Sequence, residues 1–255
     1  MNAAEYDLLR SVEDHHWWHR LLRGQVMRVV EEKLRGRGRL LDAGCGTGGM
    51  LRHLQKHASG LDLSGLDHSQ AAVRHCHERG VPAIKGSLHD MPFKAGFFDM
   101  ILSLDVLYHQ AVEESRALAE MHRVLKRGGW LVVNLPAFNC LRGSHDEAVQ
   151  GARRYQADEI QAMLARHGFE GVCSHYWNAW SFLPMLLWRQ ISQCRRHPQQ
   201  EVKSDLTMQI GWLTNLLYGI GVMDVHACRS LHIPFGSSVF AVARKAGPPG
   251  KGGRL

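Results

Sequence analysis

Leu40-Leu41-Asp42-Ala43-Gly44-Cys45-Gly46-Thr47-Gly48-Gly49 joins an apolar pair, an acidic residue and glycines at alternate positions 44, 46 and 48, and a helical pattern starts at Met50. The order reads as strand, tight turn and helix. Glycine accepts positive φ without strain and lets a ligand come close to the backbone. A Walker-type phosphate loop is excluded, because no Lys-Ser/Thr pair follows the last glycine. The usual dinucleotide fingerprint is excluded as well, since its third glycine stands three residues beyond the second, not two.

Outward from that turn, strand-length apolar runs alternate with helical patterns, which predicts an α/β fold with a parallel sheet. Gly38–Ala43 is the first strand, Gly49–His57 the first crossover helix and Leu61–Asp67 the second strand. Residues 69–79 form a helix with Ser69 as N-cap and Gly80 closing it. Residues 81–85 and 100–104 are the third and fourth strands, with Phe98-Asp99 leading into the latter. Residues 113–125 form a helix ended by Gly128-Gly129, and 130–135 a fifth strand stopped by Pro136. A helix over 157–167 closes at Gly168. The β-rich segments 171–176 and 238–243 suit an antiparallel edge pair. Between them, 177–234 is too long for a hairpin connection, so it is expected to hold helices and to carry a function.

The 255 residues and 28.8 kDa suit one α/β domain with additions, or at most two small domains. A hydrophobic content of 45% supports a proper core and excludes a disordered chain. The net charge of +7 speaks to partners, not to fold. It reads either as a solvated basic surface or as attraction to an anionic partner such as nucleic acid, lipid headgroups or a phosphorylated substrate. Six cysteines without a C-x-x-C pair indicate neither a zinc site nor a disulfide framework. With no signal-like opening and no apolar run near 18 residues, the expected compartment is the cytoplasm. The Gly/Pro/basic tail, 247–255, reads as disordered.

The D-x-G-x-G-x-G pattern at 42–48 resembles motif I of the class I S-adenosylmethionine-dependent methyltransferases. Further signals follow in that family's order between about 36 and 137. They are an acidic strand end at 67, G-S-L-H-D-M-P-F at 86–93 against the family's G-D-A-x-x-L-P-F, a fourth strand with its loop at 98–109, and R-V-L-K-R-G-G at 123–129. The resemblance implies a Rossmann-like, seven-stranded, mostly parallel sheet. Around it are expected an N-terminal helical lid (1–35), a cofactor-binding core (36–176 and 235–246), a helical insertion before the last strand that caps the substrate (177–234), and the tail.

The implied cofactor is S-adenosylmethionine, with S-adenosylhomocysteine as product. Gly44, Cys45, Gly46 and Gly48 match the turn, and Asp42 the acid beside the cofactor, the alternative for Asp42 being a turn anchor. For the ribose, Asp67 is preferred over Asp62, because Asp67 ends the strand and a helix cap follows it. A carboxylate accepting two ribose hydroxyls selects nucleosides. Ser87 and Leu88 stand where Asp and Ala are usual on the adenine edge, which weakens that hold. His68 packs on adenine or is simply exposed. Asp105 (towards the cofactor) and Tyr108 and His109 (towards the acceptor) lie past the carboxyl end of the fourth strand, where ligands gather in open sheets.

Methyl transfer requires in-line alignment and exclusion of water, and a hydroxyl acceptor benefits from a base. His109 is the first candidate and His145 the second; no pair with metal-ligand spacing is present. His16-Trp17-Trp18-His19-Arg20 resembles an H-W-W-x-R element in a bacterial, methyltransferase type 11-like branch. That branch also carries H-D (His145-Asp146), R-R-Y (Arg153-Arg154-Tyr155) and P-F-G-x-S (234–238). It implies Trp18 and Arg20 over the cofactor and Arg153, Arg154 and Tyr155 at the substrate; the other readings are tryptophans docked in the core and a solvated, helix-capping Arg pair. The branch usually has a histidine where Gly151 stands. The insertion clasps an apolar acceptor, lies on the inner membrane face, or fills a subdomain core. The expected activity is methyl transfer to a small or lipid-like acceptor, at oxygen. Nucleic acid is not the expected partner, since an N-P-P-Y type signature and an RNA-binding module are both absent; RNA or DNA methylation and a non-catalytic cofactor-binding role stand as the alternatives.

Overall fold

Strand β1 (Gly38–Ala43) shows how the pattern becomes a layered fold. Successive side chains of a strand point to opposite faces, and Leu40 and Leu41, both fully buried, enter different cores. Leu40 joins Met100 and Val132 under helices α2 (Trp17–Leu34), α3 (Gly49–His57) and α4 (Gln70–Glu78). Leu41 joins the cross-strand row Ile101, Leu131 and Ala243 on the other face. There α5 (Glu114–Val124) and α6 (Ala157–Arg166) cover the sheet.

The computed structural model describes residues 3–143, 146–147, 149–194 and 211–247. Strands β2 (Leu61–Asp67), β3 (Ala83–Lys85), β4 (Phe98–Leu104), β5 (Leu125–Pro136), β6 (Phe169–Trp177) and β7 (Ser238–Lys245) complete a seven-stranded sheet of order β3-β2-β1-β4-β5-β7-β6. β7 runs antiparallel between β5 and β6, and the remaining pairings are parallel. Strand order reverses between β1 and β4, so the crevice for a ligand opens at their carboxyl ends. This is the expected Rossmann-like, mostly parallel sheet with N-terminal helices.

The expected bounds of β1, α3 and β2 match the structure, and Ser69 caps α4 by accepting from the amide of Ala72 at 3.4 Å. One junction differs. Gly128-Gly129 does not end α5: the helix gives way at Leu125, already extended and paired with Phe98, and β5 runs through the glycines and on to Pro136. Gly128 takes φ +76, and a Cβ on Gly129 would press on the carbonyl oxygens of Lys126 and Asp99, so the glycines serve a bend inside the strand.

The insertion forms α7 (Ala179–Cys194) and α8 (Gly211–Leu231). It starts one residue later than expected, because Trp177 belongs to β6, fully buried, its indole N–H donating to Asn134 Oδ1 at 3.0 Å. Gly221 leaves room for Leu21, which lets α8 close on α2. No described helix is long and apolar enough to cross a membrane. Positions 195–210 and 248–255, including the tail, fall outside the described residues.

Candidate active site

The turn after β1 is drawn toward β2 by two bonds to one carbonyl, Gly44 N and Cys45 N to Leu66 O at 2.7 and 3.1 Å. Gly44, Gly46 and Gly48 all have positive φ, but their surroundings differ. A Cβ at 44 would strike Val106, and one at 48 would meet Cys76 and Val81 at 2.9 Å. At 46 only Leu9 comes within 4 Å, at 3.8 Å, so that side of the turn is open. Gly48 is the N-cap of α3 and stands outside the lining of the cavity described next, which assigns it to the turn and not to a ligand.

A single cavity of about 760 Å³ runs from this turn to the insertion. At one end stand Asp42, Gly44, Cys45, Gly46, Asp67, His68, Ser87 and Leu88, all expected for the cofactor, together with Trp18. Asp67 is buried; Gly46 N donates to its Oδ2 and Ser69 N to its Oδ1, each at 2.9 Å. An ionised carboxylate has about four lone-pair sites; with the Tyr6 hydroxyl also on Oδ1, room for a further hydroxyl donor remains on Oδ2. His68 is an exposed ring 3.4 Å from Asp67, and Ser87 Oγ accepts from His89 N at 3.1 Å. Asp42 makes no hydrogen bond from its carboxyl among the described residues. Burial, then the neighbouring Asp67 and Glu13, push its pKa up to about 7.

Helix α1 (Ala3–Val12) and the residues after it close this end in a way the motifs did not announce. Tyr6 donates to Asp67 Oδ1 at 3.4 Å, and Leu9 faces Gly46. Glu13, buried beside Gly49, accepts from Thr47 and from Arg79. Only the position of Thr47 within the turn and of Glu13 beside the H-W-W-x-R element hinted at them. Trp17 packs tilted against Trp180 and Trp18 stacks on Trp177, with centroids 5.7 and 5.3 Å apart, and both line the cavity. The pair is therefore docked on the tryptophans of β6 and α7 while also lining the cavity.

Asp105, Tyr108 and His109 line the middle of the cavity. Asp105 adopts φ +55 and accepts from Asn134 Nδ2 at 2.8 Å; burial raises its pKa to about 7. Asn134, a polar residue in the apolar run of β5, was the sequence signal for that support. The His109 ring stacks on Tyr108, and its Nδ1 lies 2.8 Å from Val149 O. A carbonyl can only accept, so Nδ1 carries the proton and Nε2 keeps its lone pair. Burial lowers the pKa of His109 and raises that of Tyr108, leaving both neutral near pH 7. A Cβ at Gly151 would touch the Tyr108 ring at 3.0 Å, so the histidine usual there in the branch does not fit this packing.

Three expected site residues are corrected. Arg20 turns to α8, donating to Asn215 at 2.9 Å with its guanidinium 3.9 Å over Tyr218. Arg153 pairs with Glu114 and stacks on Tyr155, while Tyr155 is a core residue donating to Glu114 and Leu107 O. None of the three lines the cavity. Arg154 does, but buried, its guanidinium forked onto Asp146 at 2.8 and 3.1 Å and so already neutralised. His145 lies outside the described residues.

Residues 41–133 match the family model described as a methyltransferase domain. The phthiotriol/phenolphthiotriol dimycocerosates methyltransferase 1 of Mycobacterium ulcerans is 30% identical over 134 residues, covering 50% of this chain and 49% of that protein. A tRNA (carboxymethyluridine(34)-5-O)-methyltransferase of Xenopus tropicalis is 39% identical over 90 residues, covering 34% and 14%. The chain thus spans half or less of these curated relatives. A solved S-adenosylmethionine-dependent methyltransferase of Thermotoga maritima, titled a possible histamine N-methyltransferase, superposes with a TM-score of 0.57 at 19% identity over 95% of each chain. The sheet and its crevice are those of the class I methyltransferases. Residues 41–133 thus match a methyltransferase domain, set in the fold of the solved S-adenosylmethionine-dependent methyltransferases.

Proposed function

We propose that the protein transfers the methyl group of S-adenosylmethionine to an oxygen of a small or lipid-like acceptor. One observation carries this reading: a single cavity links the open face of Gly46 and the carboxylate of Asp67 to the ring of His109 and then to apolar walls. Those walls include Val106, Val112 and Val149, with Met185, Leu213 and Leu217 from the insertion. The volume of about 760 Å³ sits within the roughly 300–1,000 Å³ of pockets that enclose drug-sized ligands.

The residues present fit the cofactor. Gly46 leaves its approach clear, Asp67 retains a lone pair on Oδ2 for a ribose hydroxyl, with the Tyr6 contact on Oδ1 open to exchange for the second, and Leu88 offers an apolar edge for adenine while Ser87 offers a hydroxyl where the family has a carboxylate. S-adenosylmethionine supplies, when bound, a methyl group on a cationic sulfur. Asp42 and Asp105 sit where a cation would favour their ionised forms. Trp17 and Trp18 shield the crevice from water. His109 accepts the acceptor's proton at Nε2, its ring held by the bond to Val149 O and by Tyr108. The apolar wall favours a lipid-like acceptor over tRNA, the substrate named for one relative, because a polyanion gains nothing from Met185, Leu213 and Leu217.

Titration calorimetry with S-adenosylmethionine and S-adenosylhomocysteine tests the first half, and transfer of labelled methyl into a lipid extract or total RNA tests the second. One-to-one binding with label in the organic phase is the expected result. Label in RNA would reverse the acceptor assignment, and no binding by folded protein would refute the reading.

A further inference from the structure

Helices α7 and α8 carry two apolar faces each. One lines the cavity through Met185, Leu213 and Leu217; the other faces solvent. On α7 the exposed residues are Leu183, Leu187, Trp188 and Ile191, spaced along one helical face. On α8 they are Trp212, Leu216 and Met223, which recur at helical spacing on one side. Trp188 is 67% exposed and Trp212 70%, an unusual cost for residues of that size in contact with water alone.

Charge selects the occupant. α7 contains no Asp or Glu, and the one carboxylate of α8, Asp224, is turned to the start of α7, accepting from Asn178 N and Trp180 N at 2.6 and 3.0 Å. The exposed face is therefore free of anionic side chains. The sequence joining the two helices holds Arg195, Arg196 and Lys203 against Glu201 and Asp205, and the whole chain carries +7. Apolar and tryptophan side chains on two helices with no outward acid, in a chain of net positive charge, suit a surface of anionic lipid headgroups over exposed acyl chains.

We infer that the outer faces of α7 and α8 dock on an anionic phospholipid bilayer. The same two helices then separate membrane from cavity, so an acceptor dissolved in the bilayer reaches the cavity by passing between or beside them. The second part rests on the lipid-like acceptor proposed above; the docking itself does not.

The test is flotation of the full chain with vesicles of phosphatidylglycerol and phosphatidylcholine, and with vesicles of phosphatidylcholine alone. The wild type is expected to float with the anionic vesicles and to be released by salt. A Leu183→Ser, Trp188→Ser, Met223→Ser variant, altered only on the outer face, is expected to lose at least tenfold in vesicle affinity. Its S-adenosylhomocysteine affinity, read by calorimetry, should stay as in the wild type, which also shows that it folds. Wild-type protein that stays at the bottom of the gradient with both vesicles overturns the inference. So does equal flotation of the variant. Self-association of the wild type in sedimentation velocity, lost in the variant, would assign the face to a second copy of this chain instead. Flotation needs no turnover, so its failure is distinct from failure of the methyl-transfer reading.

Discussion

Replacing Asp42 by Asn should stabilise the protein at pH 8 and do little at pH 4. Asp42 is 2% exposed and accepts no hydrogen bond from the described residues, and it faces Asp67 and Glu13. Its pKa stands at about 7, against 3.8 for a free side chain. A folded-state pKa above the unfolded one means stability that is present below pH 3.8 and is lost as pH rises through 7. At ~1.36 kcal/mol per pH unit, the ionised carboxylate costs the native state about 4 kcal/mol by pH 8, and less than about 1 kcal/mol at pH 4. Asn has nearly the same shape and no charge to bury, so the variant escapes that cost. Urea unfolding followed by circular dichroism, in steps from pH 4 to pH 8 without cofactor, gives the difference between the two proteins at each pH. A gap that opens across this window by a few kcal/mol supports the argument. A gap that is flat with pH, or a variant that is less stable at pH 8, refutes it: Asp42 would then be held ionised by partners that the geometry does not supply.

Gly46→Arg should abolish S-adenosylhomocysteine binding in calorimetry with the circular dichroism spectrum unchanged, since its side chain would fill the one open flank of the turn; Asp67→Ala should weaken the same binding by losing the ribose hydroxyls. His109→Gln should lower kcat by about 10²–10⁴-fold with cofactor affinity intact, and because burial lowers the wild-type pKa, the acidic limb of kcat/KM should fall below pH 6.5 and vanish in the variant. Arg154→Met leaves Asp146 buried without its forked partner, a loss of roughly 3–5 kcal/mol that should lower Tm on the order of 10 °C in a chain of this size. Gly48→Ala should also destabilise, by about 1–3 kcal/mol, because a Cβ at φ +80 meets Cys76 and Val81 at 2.9 Å; unchanged unfolding would show that the turn relaxes around it.

The local elements were legible in the residues themselves. β1, the glycine turn and α3 follow from apolar alternation and from glycine's tolerance of positive φ, both written within ten neighbouring residues. Ser69 announced α4 because a cap is satisfied three residues away. The order of acidic strand ends placed Asp42, Asp67 and Asp105 at one edge of the sheet, since every parallel strand presents its carboxyl end on the same side. At the α5–β5 junction the sequence misled, because Gly128-Gly129 resembles a helix stop and only pairing of Leu125 with Phe98 makes that stretch a strand.

Tertiary structure alone decided which charges were free to act. Arg20, Arg153 and Arg154 read alike in sequence, yet each is claimed by a partner from elsewhere in the chain: Tyr218 and Asn215, Glu114, and Asp146. It also brought Tyr6, Leu9 and Glu13 onto a turn more than thirty residues away, and set Met185, Leu213 and Leu217 against the path from His109. Backbone conformation answers to adjacent residues, so composition and spacing determine it. The partner of a long polar side chain is settled by what the packed cores leave within reach, and that is a property of the folded chain.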